Sequence, residues 1–469
     1  MATSINAREE LALAPIGRFH ITFAILVGFI MFFDGFDLFN AAYVIPLVRK
    51  SWQPSPAMIG VMLSSGIVGL SIGSVVQGLL SDRFGRRRVM LLALWLLTAA
   101  SGALATVAHT PLAFALLRLV LGTALGMVTP LALTCINEWA PRKHANTYAT
   151  WVFQFGFSAG GIFAGVAGIL LTPRFGWQSL YYIGILSAVV AAVATIWLPE
   201  SIQYLLIRRR FDEARQLLSR LRPERSELYR DAVLATAVKA TRVGSIADLV
   251  GPLYRRNTIV HWITGFLSLF CIHGLTGWLP SLVVNRGEGV TSAFAYGTLV
   301  MTASVVGGIS MGWLADKLQS RIRVMIVGYI ATAASMGAVA FSLWQAPALV
   351  AVAVASTGFF MFGSQAVLNN YQAMCYRTEV RGTGIGIAIG LNRVGGILGP
   401  FIIGLVVSIN PDPSYTFGVF CAAAALSALV IALGRTEITA MRSSDIASAD
   451  SSAPSVSTMP GSAQPNGSK

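Results

Sequence analysis

Twelve runs of apolar residues, each long enough to cross a bilayer as a helix, constrain this chain more than anything else in it. They fall at 21–48, 57–80, 89–108, 111–137, 147–172, 178–198, 258–284, 292–315, 323–345, 347–372, 383–408 and 414–434. About 20 helical residues cross a hydrocarbon core of roughly 30 Å. No water reaches that depth, so each run must satisfy its own backbone as helix. A β-barrel would need short alternating segments, and these runs are apolar throughout. Only 12% of the residues are charged, against about 25% in an average soluble domain, so a soluble globule would lack the polar surface it needs. The four cysteines, Cys135, Cys271, Cys375 and Cys421, lie in or at the ends of runs without paired or metal-ligand spacing, which argues for small packing residues and neither a disulfide scaffold nor a metal site. The first run continues through Asp34, Asp37 and Pro46. A cleaved leader's apolar region is only about 7–15 residues long, so this run is expected to stay in the protein.

Twelve spans put both termini on one face. On that face lie 28 of the 34 Lys and Arg residues; four (Arg49, Lys50, Arg174, Arg286) are on the other and two (Arg118, Arg393) lie inside spans. Basic residues accumulate in cytoplasmic loops, so both termini and the 199–257 stretch are expected in the cytoplasm of a bacterial cell, with the chain in the inner membrane. The net charge of +14 then reports topology and contact with anionic lipid headgroups. It does not imply nucleic acid.

The spans divide six and six. The expected organisation is a cytoplasmic N-terminal segment (1–18), an N-terminal six-helix bundle (19–198), a cytoplasmic linker (199–257), a C-terminal six-helix bundle (258–434) and a disordered cytoplasmic tail (435–469). The two halves echo each other after their second spans: Gly78-Leu-Leu-Ser-Asp82-Arg83-Phe-Gly85-Arg86-Arg87 is matched by Gly312-Trp-Leu-Ala-Asp316-Lys317-Leu-Gln-Ser-Arg321. A weak internal repeat of this kind marks a transporter built from related bundles. The fold expected is therefore an all-α membrane protein with twelve transmembrane helices in two pseudo-symmetric six-helix bundles. Within the linker, Leu217, Leu218 and Leu221 share one face of a short amphipathic helix from Phe211.

Ionisable residues inside spans carry the functional signal, because each costs roughly 2.5–3.5 kcal/mol at a helix centre. Asp34 and Asp37 stand mid-span three residues apart, hence on one helix face, where two carboxylates disfavour joint ionisation. That suits a proton-binding site. Arg118 in the fourth span and Arg393 in the eleventh balance them, and Glu138 lies near the end of the fourth. Buried groups so balanced can pair until a charged substrate intervenes. Gly390, Gly395 and Gly396 leave room for a ring near Arg393. His261 and His273, in the seventh span, read as packed residues. The loop at Gly78, Asp82, Arg83, Gly85, Arg86 and Arg87 reads as a gate: glycines permit the turn, Asp82 can cap a neighbouring helix, and the arginines can pair across the bundle interface. Asp316 and Arg321 repeat it. Small residues recur in the fifth span (Gly156, Gly160, Gly161, Gly165) and the eleventh, allowing close helix contact or sliding. Phe32, Phe33, Phe36, Trp278, Phe359, Phe360 and Tyr371 are candidates for an aromatic pocket.

Together these residues resemble the major facilitator superfamily, whose loop signature Gly-x-x-x-Asp-Arg-x-Gly-Arg-Arg stands at 78–87. Within it the chain resembles the aromatic acid:proton symporters, through Asp34-Gly-Phe-Asp37, Arg118-Leu-Val-Leu-Gly122, Glu138, Leu198-Pro199-Glu200-Ser201, Arg381-Gly-Thr-Gly384, Gly390-Leu-Asn-Arg393-Val-Gly395 and Gly399-Pro400. The match runs over nearly all of 19–434. The resemblance implies import of a benzoate-type carboxylate with protons, by alternating access and without cofactor or metal. Asp34, Asp37 and Glu138 would serve proton coupling, Arg118 and Arg393 the substrate, and the chain is read as a monomer. Two positions depart from the family. Gln319-Ser320 replaces Gly-Arg in the second loop, implying a weaker gate there, and Arg377 stands where proline is usual. A porter for another organic acid or a sugar is the alternative, although mid-span Asp34 and Asp37 are not expected in one. An enzyme would need a nucleophile–base or metal constellation, and a receptor a soluble output domain; the chain shows neither.

Overall fold

A computed structural model of the chain describes residues 4–139, 141, 156–235, 246–252, 254–341, 346–376 and 378–434. Among them are twelve helices long and apolar enough to span a membrane: Arg18–Trp52, Pro56–Phe84, Arg86–Thr106, Pro111–Trp139, Gly156–Phe175, Gln178–Trp197, Arg255–Asn285, Val290–Lys317, Arg321–Ala340, Pro347–Met374, Val380–Ile409 and Pro413–Ala432. These are spans 1 to 12, and they correspond one for one to the twelve apolar runs. The protein is a multi-pass membrane protein. The start of the fifth run (147–155), the Arg377 departure and the 435–469 tail lie outside the described residues.

Local chemistry explains several span ends. Spans 2, 4, 10 and 12 open on Pro56, Pro111, Pro347 and Pro413, where a missing N–H costs nothing and φ is already helical. Ser55 Oγ accepts the Met58 N–H at 3.2 Å to cap span 2, and Asp412 accepts the Ser414 N–H at 3.0 Å to cap span 12. Asp412 also meets Arg286 at 2.6 Å. The Ser414 amide first, and Arg286 after it, hold its carboxyl below the ordinary range.

The two groups of six spans meet along span 2 against span 11, span 5 against span 8, and span 1 against span 7. Contact is tight at the end away from the termini. A Cβ on Gly60 would lie 2.9 Å from the Pro400 carbonyl oxygen, and one on Gly404 would lie 2.7 Å from that of Pro56, so backbone touches backbone. Ser64 Oγ donates to the Ile397 carbonyl at 2.7 Å, Tyr43 packs edge-on to Phe294 at 5.0 Å, and the Arg49 guanidinium donates to the Asn285 side chain. In the fifth span Gly161 faces Met301 and Gly165 faces Thr298. Toward the other end of the same helix pair, Gly78 of span 2 and Gly386 and Gly390 of span 11 have nothing within 4 Å of where a Cβ would sit. Among the described residues the bundles thus touch closely on the side opposite the termini, while spans 2 and 11 are parted on the side that carries them.

The N-terminal segment is tied down, which no local pattern announces. Strand β1 (Ser4–Asn6) pairs in parallel with strand β2 (Val233–Ala235) of the linker, Ile5 opposite Leu234. Behind β1, the buried Glu10 carboxylate accepts from Arg222 at 2.9 Å, Arg225 at 2.6 Å and the Tyr229 hydroxyl at 2.7 Å. Burial, and then this bond to Glu10, push the Tyr229 phenol above its ordinary range. The linker helix Phe211–Leu221 is amphipathic as expected, but Ala214, Leu218 and Leu221 form its buried face and Leu217 stands half-buried beside them.

Candidate functional site: a polar junction at the bundle interface

Span 1 carries both carboxylates deep in the protein, with Asp34 2% and Asp37 0% exposed. Removing charge from water at that depth demands partners, and the two acids have different ones. Asp37 is held within its own bundle. Asn40 Nδ2 donates to it at 3.1 Å and Ser101 Oγ of span 3 at 3.5 Å. The positive charge of Arg118 faces it from span 4, and the same guanidinium donates to the Asp37 carbonyl at 2.7 Å and the Leu38 carbonyl at 3.4 Å. Gly66 of span 2 makes that seat possible, because a Cβ there would lie 2.9 Å from Arg118 Nη2.

Asp34 is bonded within the same bundle but also faces a charge outside it. Thr129 Oγ1 of span 4 donates to its Oδ2 at 2.9 Å, and Oδ1 has no hydrogen-bond partner among the described residues. Its charge interacts with Arg393 of span 11, across the interface. The Arg393 guanidinium also donates to Ser74 Oγ of span 2. Beside Arg118 a small cleft is lined by Phe39, Leu63, Ile67, Arg118, His273 and Pro400.

Several expectations change on placement. Gly395 and Gly396 do not leave ring-sized space: a Cβ on Gly395 would lie 2.8 Å from the Phe266 carbonyl carbon and one on Gly396 2.7 Å from His273 Cδ2. Only Gly390 of the three is open. The aromatic candidates do not converge either. Phe32 and Phe36 join Phe163, Phe359 pairs with Phe360, and Trp278 Nε1 donates to the Pro400 carbonyl at 2.9 Å. That bond receives the tryptophan N–H beside the proline of span 11. His261 packs on Tyr376 and meets its hydroxyl at 2.8 Å.

Glu138 stands apart from the aspartates, near the terminus-side end of span 4. It pairs with Arg86 at 2.5 Å and accepts from Ser201 Oγ at 2.7 Å and the Gln203 N–H at 3.0 Å. Glu200, which in the sequence stands out only as part of Leu198-Pro199-Glu200-Ser201, completes this network: its Oε1 accepts the Arg87 and Ser201 N–H groups at 3.1 and 3.0 Å. Gly85 makes the turn at φ +95°, and a Cβ there would lie 2.9 Å from Glu200 Cδ, so glycine is needed twice over. The Arg83 carbonyl accepts from Tyr204 at 3.3 Å and Arg208 at 2.7 Å, and Arg87 donates to the Thr195 carbonyl at 2.6 Å. The loop arginines therefore bind their own bundle and the linker, where pairing across the interface was expected. Asp82 is exposed and caps no neighbouring helix among the described residues. In the second loop the Asp316 carboxylate meets Arg321 at 3.4 Å and the Asp316 carbonyl accepts from the Gln319 side chain at 2.6 Å, with Gln319 at φ +48° in the place usually held by glycine.

A fold of two six-span groups meeting at a buried polar junction is that of a transporter. The Major Facilitator Superfamily model matches residues 27–400 and 297–459, and the chain belongs to that superfamily. Within it, its relatives are aromatic acid transporters. It is 31% identical to the gallate transporter of Pseudomonas putida, over 87% of this chain and 90% of that protein. It is 30% identical to the 4-hydroxybenzoate transporter PcaK of Pseudomonas aeruginosa, over 83% and 86%. It is 29% identical to the niacin transporter NiaP of Acinetobacter baylyi, over 90% and 95%. Among solved structures it resembles the D-xylose-proton symporter, with a TM-score of 0.69 at 17% identity, covering 88% of this chain and 97% of that one. The inward open conformation of the xylose transporter XylE from E. coli gives 0.68 at 15% identity, covering 88% and 95%. At such identities the structures speak for the fold alone.

Proposed function

We propose that the protein imports an aromatic carboxylate of the benzoate or hydroxybenzoate class together with protons, by alternating access between two rocking bundles (19–198 and 258–434). The observation that carries this reading is the cross-interface relation of Asp34 and Arg393. An aromatic acid is an anion at neutral pH, and its entry to the midplane requires a cation. Arg393 can offer a planar two-pronged donor if Asp34 gives it up, and a proton on Asp34 releases it. Proton and substrate are then coupled through one arginine, while Arg118 keeps Asp37 in place. Gallate, 4-hydroxybenzoate and niacin, named for the relatives, are all ring carboxylic acids, which favours this class over a sugar.

The 28-to-4 division of basic residues supports cytoplasmic termini in an inner membrane. The parted side of the bundles would then face the cytoplasm, and the loops of Asp82 and Asp316 would meet only when that side closes. Single cysteines placed at Arg174 and Arg220 report the orientation: impermeant label added to intact cells should reach the first and not the second.

The substrate test is counterflow and pH-driven uptake in proteoliposomes with benzoate, hydroxybenzoates, gentisate and phenylpropanoates as competitors. Accumulation of a ring carboxylate driven by an inward proton gradient, and abolished by a protonophore, is the expected result. Uptake of a sugar or of a non-aromatic acid in preference to every ring carboxylate would refute the assignment.

A further inference from the structure

A second cavity lies far from the polar junction, at the terminus-side rim of the first bundle. It measures about 420 Å³, is open to solvent, and is lined among others by Phe19, Arg87, Arg88, Trp197, Arg210 and Arg220. We infer that it binds the headgroup phosphate of an anionic glycerophospholipid, with the acyl chains lying between spans 3 and 6.

Charge comes first. Four arginines and two glutamates, Glu200 and Glu213, border the cavity. Glu213 is taken by Arg210 through two bonds of 2.6 and 2.7 Å, and Glu200 Oε1 by the Arg87 and Ser201 N–H groups. Arg87 is steered by the Thr195 carbonyl. Arg88 and Arg220 are exposed and make no ion pair or side-chain hydrogen bond among the described residues. Two fork-shaped donors thus converge without a partner, a geometry that suits phosphate oxygens.

Depth comes next. Phe19, Arg88 and Trp197 each stand at or near the terminus-side end of a span, the first, third and sixth, so the cavity lies at the level of the headgroups. Phe19 and Trp197 stack at 5.3 Å to form its floor, as aromatic residues do at a membrane–water interface.

The third observation separates a lipid from a soluble anion. From Arg88, steps of four and three residues lead down span 3 to Leu92 and Trp95, both exposed. Along span 6, Val189 and Val193 lead with the same helical spacing to Ile196, which is 86% exposed beside the cavity. Spans 3 and 6 are in contact, so two apolar stripes run side by side away from one basic pocket. Basic pockets between spanning helices on this kind of face hold anionic headgroups, and the stripes give acyl chains a bed that a free phosphate would not use.

Native mass spectrometry of the full chain tests this, titrating phosphatidylglycerol against phosphatidylcholine of the same chains and against inorganic phosphate. Wild type should retain phosphatidylglycerol in preference to phosphatidylcholine, and millimolar phosphate should not displace it. Arg88→Gln with Arg220→Gln should weaken phosphatidylglycerol retention roughly thirtyfold, from the attraction of two basic side chains. Arg220→Gln alone, on an extramembrane helix where folding is not at stake, should weaken it about fivefold. The charge-matched pair Arg255→Gln with Arg323→Gln, in the other bundle, should leave it unchanged. Displacement by free phosphate would make the cavity a soluble-anion site and overturn the proposal. So would equal retention of the two lipids, or a loss no greater in Arg220→Gln than in the control pair.

Discussion

The two aspartate–arginine relations of span 1 lie three residues apart and differ in kind. Asp37 and Arg118 belong to one bundle, and the arginine is bound to the Asp37 and Leu38 carbonyls as well as facing the carboxylate. Rocking one bundle against the other leaves that relation intact. Asp34 and Arg393 belong to different bundles, and any rocking must change their separation. Equal-looking residues in a span can therefore split into a fixed brace and a movable charge relation, according to which helix supplies the cation.

That contrast can be broken experimentally. The largest effect is expected from the brace. Arg118→Gln leaves Asp37 buried without its cation, and removing one member of a buried pair costs about 3–5 kcal/mol. The expected outcome is loss of folded, monodisperse protein, read by size-exclusion yield and thermal unfolding. A variant that purifies and melts like wild type would show that Arg118 does not brace the bundle. The movable relation should behave differently. Asp34→Asn keeps size and a hydrogen-bond acceptor for Thr129 but removes titration, so uphill uptake should fall to simple equilibration while substrate exchange and folding persist. Wild-type accumulation with unchanged pH dependence in both Asp34→Asn and Asp37→Asn would remove the coupling role from this pair.

Arg393→Lys sharpens the same point on the substrate side. It keeps the charge and loses the planar fork, so affinity for the acid should drop roughly tenfold, the value of one charge-assisted hydrogen bond. A neutral amide analogue should be affected less. Equal affinity for the acid in variant and wild type would pass the substrate role to Arg118. The smallest effect on stability belongs to Asp82→Asn. The side chain is exposed and caps no helix among the described residues, so unfolding should shift by no more than about 0.5 kcal/mol. Transport should nevertheless slow, if Asp82 acts when the two bundles close there. Unchanged uptake kinetics would leave the loop with an anchoring and topological role only.

The two copies of the loop repeat the lesson about context. Their sequences echo, yet the first is knitted to Glu138, Glu200, Ser201 and Tyr204, while the ion pair described in the second joins two of its own residues, Asp316 and Arg321. The Gln319-Ser320 departure is visible in the chain. The acceptors around the first loop come from the ends of spans 4 and 6 and from the linker, and no spacing rule brings those together. Glu138 likewise reads as one more membrane acid in the sequence and turns out to be the anchor of Arg86.

What the sequence determined by itself is what the solvent dictates residue by residue: twelve spans, their six-and-six grouping, and the handful of ionisable groups that hydrocarbon tolerates only for a reason. Length and polarity are local properties, and a bilayer reads them locally. Tertiary structure alone decided that Asp34 also meets a charge from the opposite bundle, that of Arg393, whereas the cation facing Asp37 comes from its own. It alone decided that Gly395 and Gly396 serve helix contact rather than a ring, and that Ser4–Asn6 pairs with Val233–Ala235. Each of these depends on which face of one helix meets which face of another. In a uniformly apolar helix no hydrophobic stripe declares that face in advance, so packing has to choose it.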